Sequence, residues 1–360
     1  QDYYTMRPTI AIPAPGKSVE AREVAINLDG FFALHPSLDA LKPIFDQGHL
    51  AVLEAAGSPN NTRSHFEAQD FMETATPGQP DTKDGWLNRC LAHSPEADAT
   101  PFRAVAATPR MPLTLEGPAH ALAIGDLRTF RLRLNPNQPD MASMENAFEA
   151  LYASTSDPLL SDTAREAFSA ARTLERIGNQ PYIPENGAHY PNGPLGRHMQ
   201  EVAQLIKEDL GLEIAFVDVG GWDHHVNEGG VTGQLAARLK EFGDSLAAFN
   251  QDMGGRMADI VVLTMSEFGR TARENGNRGT DHGHANVMFA MGGPVKGGRI
   301  YGRWPGLRPS QLNEDRDLAL TTDFRDVFAE IVTRYLRAQS PSSIFPGFEV
   351  SPSRFPGFLG

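Results

Sequence analysis

Two short segments concentrate the residue types that bind metals or move protons. Gly220-Gly221-Trp222-Asp223-His224-His225 joins a carboxylate to two imidazoles, and Gly279-Thr280-Asp281-His282-Gly283-His284-Ala285 repeats the combination. Together they hold four of the chain's 11 histidines. Carboxylate oxygen and imidazole nitrogen are the mixed donors that a divalent cation such as zinc accepts. In an extended loop, residues two apart point the same way, which pairs Asp223 with His225 and turns His224 away. The bland reading of either segment alone is a polar turn with solvated histidines. Two such segments in one chain favour a metal or acid–base site, with Asp281, His282 and His284 as further ligand candidates.

A third polar set is Ser266-Glu267-Phe268-Gly269-Arg270. Glu267 is a candidate ligand or base, and the Arg270 guanidinium can grip an anionic substrate oxygen; the plain alternative is an internal Glu–Arg ion pair. The fourth set, Asn60-Asn61-Thr62-Arg63-Ser64-His65-Phe66, opens a helical run. A helix start presents free N–H groups and the positive end of the dipole, which favour an anion or an ionised hydroxyl. Ser64 or Thr62 is therefore a candidate nucleophile, with Arg63 and His65 beside it. An isolated hydroxyl at such a place is more often a helix cap.

Each set adjoins an element able to hold it. The apolar runs His49–Ala56, Glu213–Val219, Asp259–Met265 and Asn286–Met291 read as strands buried on both faces. Leu235, Leu239, Phe242, Leu246, Phe249 and Met253 recur at helical steps within 232–253, and a second helix covers Leu195–Leu210, stopped by Gly211. Strand, helix and strand in alternation predict a mostly parallel sheet with right-handed crossovers and ligands beyond the strands' carboxyl ends. Phe102–Ile124 reads as short strands or irregular hairpins, Met144–Ile177 as one or two helices covering the sheet, Arg303–Asp315 as a Pro-rich loop, and Asp323–Leu336 as a last helix.

With 360 residues and 40% hydrophobic content, one large α/β domain is expected, with embellishments around 80–130 and 295–320. A net charge of −13 argues against a nucleic-acid partner, which demands clustered cations. Cys90, alone, can form neither an intrachain disulfide nor a CxxC site. No apolar run reaches the 18 or so residues of an integral membrane segment, and the start at Gln1 shows no charged and apolar leader. A mature exported protein and a cytoplasmic one would both look like this.

The strings YYTMRPTIAIP, LHPSLDALKPIFDQGHLAVLEAAGSP, NTRSHFEAQDFME, GGWDHH, SEFGRT and TDHGHA, in this order, resemble the exported bacterial domain-of-unknown-function family fifteen-oh-one over nearly the whole chain. That family is assigned to the alkaline phosphatase superfamily, with sulfatases and cofactor-independent phosphoglycerate mutases. The resemblance implies an alkaline-phosphatase-like fold, periplasmic or secreted localisation through twin-arginine export, and hydrolysis of phosphate or sulfate esters at a divalent metal (Zn, Ca or Mg, down to a single ion). It implies a hydroxyl nucleophile at a helix start, which raises Ser64 or Thr62 above the capping reading. No cysteine stands there, which disfavours a formylglycine sulfatase. His282 then joins Asp223 and His225 around the metal, and Glu267 takes a position normally held by an Asp-His pair.

This chain departs from the pattern twice. The family places an apolar strand and a GG-x-D-G-L turn, with a ligand acid, before the YY segment. Either that start lies outside this sequence, the strand is supplied otherwise, or this version lacks one ligand. SEF also replaces the acid–His pair of a second metal site. A non-catalytic exported binding or assembly protein that keeps the fold with a degenerate metal site is the alternative to the hydrolase.

Overall fold

The computed structural model describes residues 1–17, 23–94, 100–128 and 158–360, with backbone alone for 158–166. After a short helix at Asp2–Met6 comes an antiparallel ribbon of β1 (Ile26–Asn27) and β2 (Ala33–Leu34). Strand β3 (Leu50–Gly57) feeds helix α1 (His65–Thr74), and α2 (Trp86–Ala92), β4 (Ala104–Ala106) and β5 (Leu122–Ala123) follow. Helices α3 (Pro158–Gly178) and α4 (Pro194–Lys207) lead to β6 (Ile214–Phe216), α5 (Gln234–Met253) and β7 (Val261–Leu263). Then come β8 (Asn286–Gly292), β9 (Arg299–Tyr301), β10 (Thr322–Asp323) and α6 (Phe324–Glu330). The part of the expected Met144–Ile177 helix before residue 158 lies outside the described residues.

The core is read directly from strand alternation. Along β3, Ala51 and Leu53 pack with Phe324, Phe328 and Trp86, whereas Leu50 and Val52 pack with Leu195, Val202, Leu246 and Phe249. Strand β8 divides likewise: Met288 and Ala290 face the first layer, Phe289 and Met291 the second. Successive side chains of a strand point to opposite faces, so a sheet covered by helices on both sides must be apolar at every position. Each large side chain so buried contributes roughly 1.5–3 kcal/mol. Cys90 belongs to the first layer, and burial pushes its thiol up to about 11, as an inert core group requires.

The α/β class holds, but the larger sheet is mixed. β8 pairs antiparallel with both β3 and β7, while β9 and β10 run parallel to β3 along its other edge. β6 does not pair with β7; it joins β4 and β5 in a separate parallel sheet. The strand–helix–strand alternation therefore misleads about neighbours. No crossover helix separates β7 from β8, and a plain loop suffices for antiparallel pairing. Among the described residues, no helix is long and apolar enough to cross a membrane.

Candidate metal centre

Sheet polarity explains why three of the four polar segments meet, and backbone bonds tie in the fourth, which follows β6 of the separate sheet. The segments after β3, β6 and β7 leave carboxyl ends, and the 279–285 segment enters β8, whose amino end lies beside the carboxyl ends of its antiparallel neighbours. Backbone bonds then zip the loops together. Gly269 N–H donates to His284 at 2.7 Å, Thr271 N–H to Asp281 at 2.9 Å, and Thr280 N–H to His224 at 3.1 Å. Gly279 passes so close that a Cβ there would stand 2.4 Å from the His225 carbonyl carbon, a contact that only glycine avoids.

Asp223, His225 and His282 form a tight triangle. His225 Nε2 lies 2.9 Å from Asp223 Oδ1 and 3.0 Å from His282 Nε2, and the third side, His282 Nε2 to Asp223 Oδ1, is 3.1 Å. His65 completes the group, its Nε2 3.5 Å from Asp223 Oδ2 and its ring 4.3 Å from that of His282. His65, Asp223 and His282 each offer a ligand atom within 4.8 Å of the others.

The other ring nitrogen of every histidine is committed. His282 Nδ1 donates to the Arg63 carbonyl at 2.8 Å, His225 Nδ1 to Asp281 at 2.8 Å, and His65 Nδ1 to Glu267 at 2.6 Å. A carbonyl or carboxylate can only accept, so each Nδ1 carries a proton, and in the neutral form of each ring the Nε2 lone pair turns inward. Lone pairs and a carboxylate about 3 Å apart repel unless something positive sits between them. One proton bridges a single pair; a cation serves them all. Tetrahedral zinc with bonds of about 2.0–2.1 Å separates its ligands by roughly 3.3 Å, close to the triangle's sides. The orphaned, buried His65 Nε2 points to the same conclusion. Donor set and spacing thus fit one divalent ion, with carboxylate–histidine pairs orienting two of the rings.

Around this group, burial pushes the Asp223 carboxyl up, but the hydrogen bond and the charge of the Arg270 guanidinium outweigh it and hold it down at about 2. Arg270 Nη1 donates to Asp223 Oδ1 at 2.5 Å, and the same guanidinium is braced by the Thr280 hydroxyl and carbonyl. The hydrogen bond from His225, then that from Asn275, lowers the Asp281 carboxyl. Asp223 and His225 keep nearly half their side-chain surface, so a substrate can reach the centre.

The remaining candidates fall outside the triangle. Glu267 contacts His65 and the Ser266 hydroxyl. Buried His284 is not part of the group and lies in the field of Asp317 and Arg63. Arg63 commits its guanidinium to Glu314 at 2.6 Å and Asp317 at 2.7 Å. Ser64 caps α1, accepting from Glu67 N–H at 3.5 Å, and the Thr62 hydroxyl donates to the Glu67 carboxylate at 2.6 Å. Sequence reasoning placed His65 only beside the nucleophile; its nitrogen reaches the ligand group because it is the first residue of α1. It missed Asn275, which holds both the His225 carbonyl and Asp281, because no spacing marks that residue.

No curated protein and no solved structure matches the chain. Residues 50–344 do match a family described as "Protein of unknown function (DUF1501)", a span that takes in all four polar segments. The chain accordingly belongs to the DUF1501 family.

Proposed function

We propose that this protein is a metal-dependent hydrolase of phosphate or sulfate esters, alkaline-phosphatase-like and working in the periplasm or outside the cell. The observation that carries the reading is the convergence of three inward-facing imidazole nitrogens on Asp223 beside an arginine, in a centre open to solvent. His65, His225, His282 and Asp223 would hold the ion. Three imidazoles suit zinc or another first-row metal better than Mg or Ca, which take oxygen ligands. When bound, the ion supplies Lewis-acid polarisation of the ester's anionic oxygen. Arg270 adds a fixed cation for a second oxygen. The attacking hydroxyl is Ser64 or Thr62; Thr62 already donates to Glu67, which can take its proton as the new bond to phosphorus or sulfur forms and the bond to the ester's leaving oxygen breaks. The departing alcohol takes up a proton, and water then hydrolyses the enzyme-bound ester to restore the hydroxyl.

One observation favours the alternative of a non-catalytic exported binding or assembly protein: both hydroxyls are engaged in helix-start hydrogen bonds. Metal content by mass spectrometry, with turnover of p-nitrophenyl phosphate, its diester and p-nitrophenyl sulfate, separates the readings. One tightly held ion and a turnover abolished by Ser64→Ala or Thr62→Ala are expected. Stoichiometric metal without turnover selects the alternative, and absence of both refutes the metal centre.

A further inference from the structure

A second cluster, sharing no residue with the metal centre, joins three aromatic rings to two carboxylates. Phe31 and Phe32 lie in the turn of the β1–β2 ribbon, and Trp304 follows β9. The Phe31 and Phe32 ring centroids are 4.9 Å apart with planes at 81°, Phe32 and Trp304 5.3 Å at 88°, and Phe31 and Trp304 6.2 Å at 71°. Three planes close to mutually perpendicular make the corner of a box rather than a stack. Phe31 nevertheless keeps 70% of its surface exposed, so core packing does not account for it. Asp29 Oδ1 accepts the N–H groups of Phe31 at 3.0 Å and Phe32 at 2.7 Å, which fixes the turn that presents both rings.

Glu54 stands against Gly302 and in the field of Asp29, the residue that fixes the turn. It lies where β3 loses register with β8, and a Cβ on Gly302, two residues before Trp304, would meet its Cγ at 2.7 Å. Glu54 is only 7% exposed, and its Oε2 has no hydrogen-bond partner. Burial, and then the like charge of Asp29, push this carboxyl up to about 7. A buried carboxylate beside another carboxylate is stabilised by a proton or by a cation. Aromatic faces attract cations most strongly when the cation is alkylated and poorly hydrated. Two carboxylates among three rings therefore suit an organic ammonium better than a metal ion, which wants more oxygen ligands.

We propose that Phe31, Phe32 and Trp304, with Asp29 and Glu54, form a binding site for a methylated organic ammonium cation of the choline type. The experiment titrates the full chain with choline chloride, followed by calorimetry and tryptophan fluorescence. Ethanolamine and 3,3-dimethyl-1-butanol, the neutral isostere of choline, are the controls. Choline should bind saturably and about tenfold tighter than either control, and Phe31→Ala should weaken it by about tenfold. Phe31 is exposed, so an unchanged melting temperature confirms that this variant stays folded. Glu54→Gln should weaken choline several-fold and leave the neutral isostere unaffected. Co-sedimentation with phosphatidylcholine vesicles would support the site with a lipid headgroup as source, and binding of free choline alone would support it with a soluble source. Equal affinity for choline and its neutral isostere, absence of saturation, or indifference of choline binding to both substitutions overturns the proposal.

Discussion

Two polar clusters of this protein look alike in composition and differ in how their atoms are matched. At the end of α5, buried Asp252 accepts from Tyr182 at 2.6 Å, Tyr190 at 2.7 Å, the Glu185 N–H at 2.7 Å and Lys207 at 2.6 Å. Every contact pairs a donor with an acceptor, and the cluster ties the 182–190 loop and α4 to α5. At the candidate metal centre, by contrast, imidazole Nε2 atoms and a carboxylate oxygen face one another while the Nδ1 groups donate outward, and Arg270 donates to Asp223 from one side. A matched cluster explains itself as structure. An unmatched one is held together by the surrounding fold and awaits a positive partner, which makes it the place for function.

The comparison breaks most readily at Asp252. Asp252→Ala strips Tyr182, Tyr190 and the Glu185 N–H of their acceptor and leaves largely buried Lys207 only the exposed Glu185 carboxylate at 3.2 Å, so it is expected to cost about 3 kcal/mol in chemical denaturation, with metal content per folded molecule unchanged. His282→Ala should do the reverse. Metal affinity falls by at least roughly a hundredfold, since outer-shell changes alone reach that range, while the metal-free protein is no less stable than its parent. Asp281→Asn sits between, with a loss of about 10- to 100-fold in competition titrations against a chelating dye. Should His282→Ala destabilise the metal-free protein as much as Asp252→Ala does, the centre would be structural and the contrast would fail.

Glu54 sharpens the contrast, because its buried Oε2 meets no donor among the described residues. Unfolded, it ionises near the usual glutamate value of about 4.3. Folded, it holds its proton up to about 7. Between those values the folded state binds more protons than the unfolded state, so this residue lowers stability as pH rises through the window. Melting curves should therefore show Glu54→Gln gaining on the parent from pH 4 to 7 and keeping a constant advantage above. A gap that does not change with pH would mean that the carboxylate finds a donor in solution.

Strand and helix positions were legible because a sheet covered on both faces is apolar throughout: His49–Ala56 differs from β3 by one residue at each end, and Asn286–Met291 from β8 by one residue at its carboxyl end. Helix α5 was legible for the complementary reason, its apolar stripe at helical steps. Which strands are neighbours was not, since pairing depends on non-local backbone contacts that leave no periodic trace, and the placement of β6 apart from β7 shows it.

By itself, the sequence determined which residues could do chemistry and that they stand beside strands: Asp223 and His225, two apart, could point the same way in an extended loop, and Asp281 and His282 stand just before the strand Asn286–Met291. Only the tertiary structure decided their division of labour. Asp281 and Glu267 became partners of imidazole Nδ1 atoms, and His65 a donor to the shared centre. Buried His284 was left outside the group. The physical reason is that a ligand set is defined by lone-pair directions. Those directions follow from which acceptor holds each histidine's other nitrogen, and that acceptor comes from a residue up to 219 positions away in the chain.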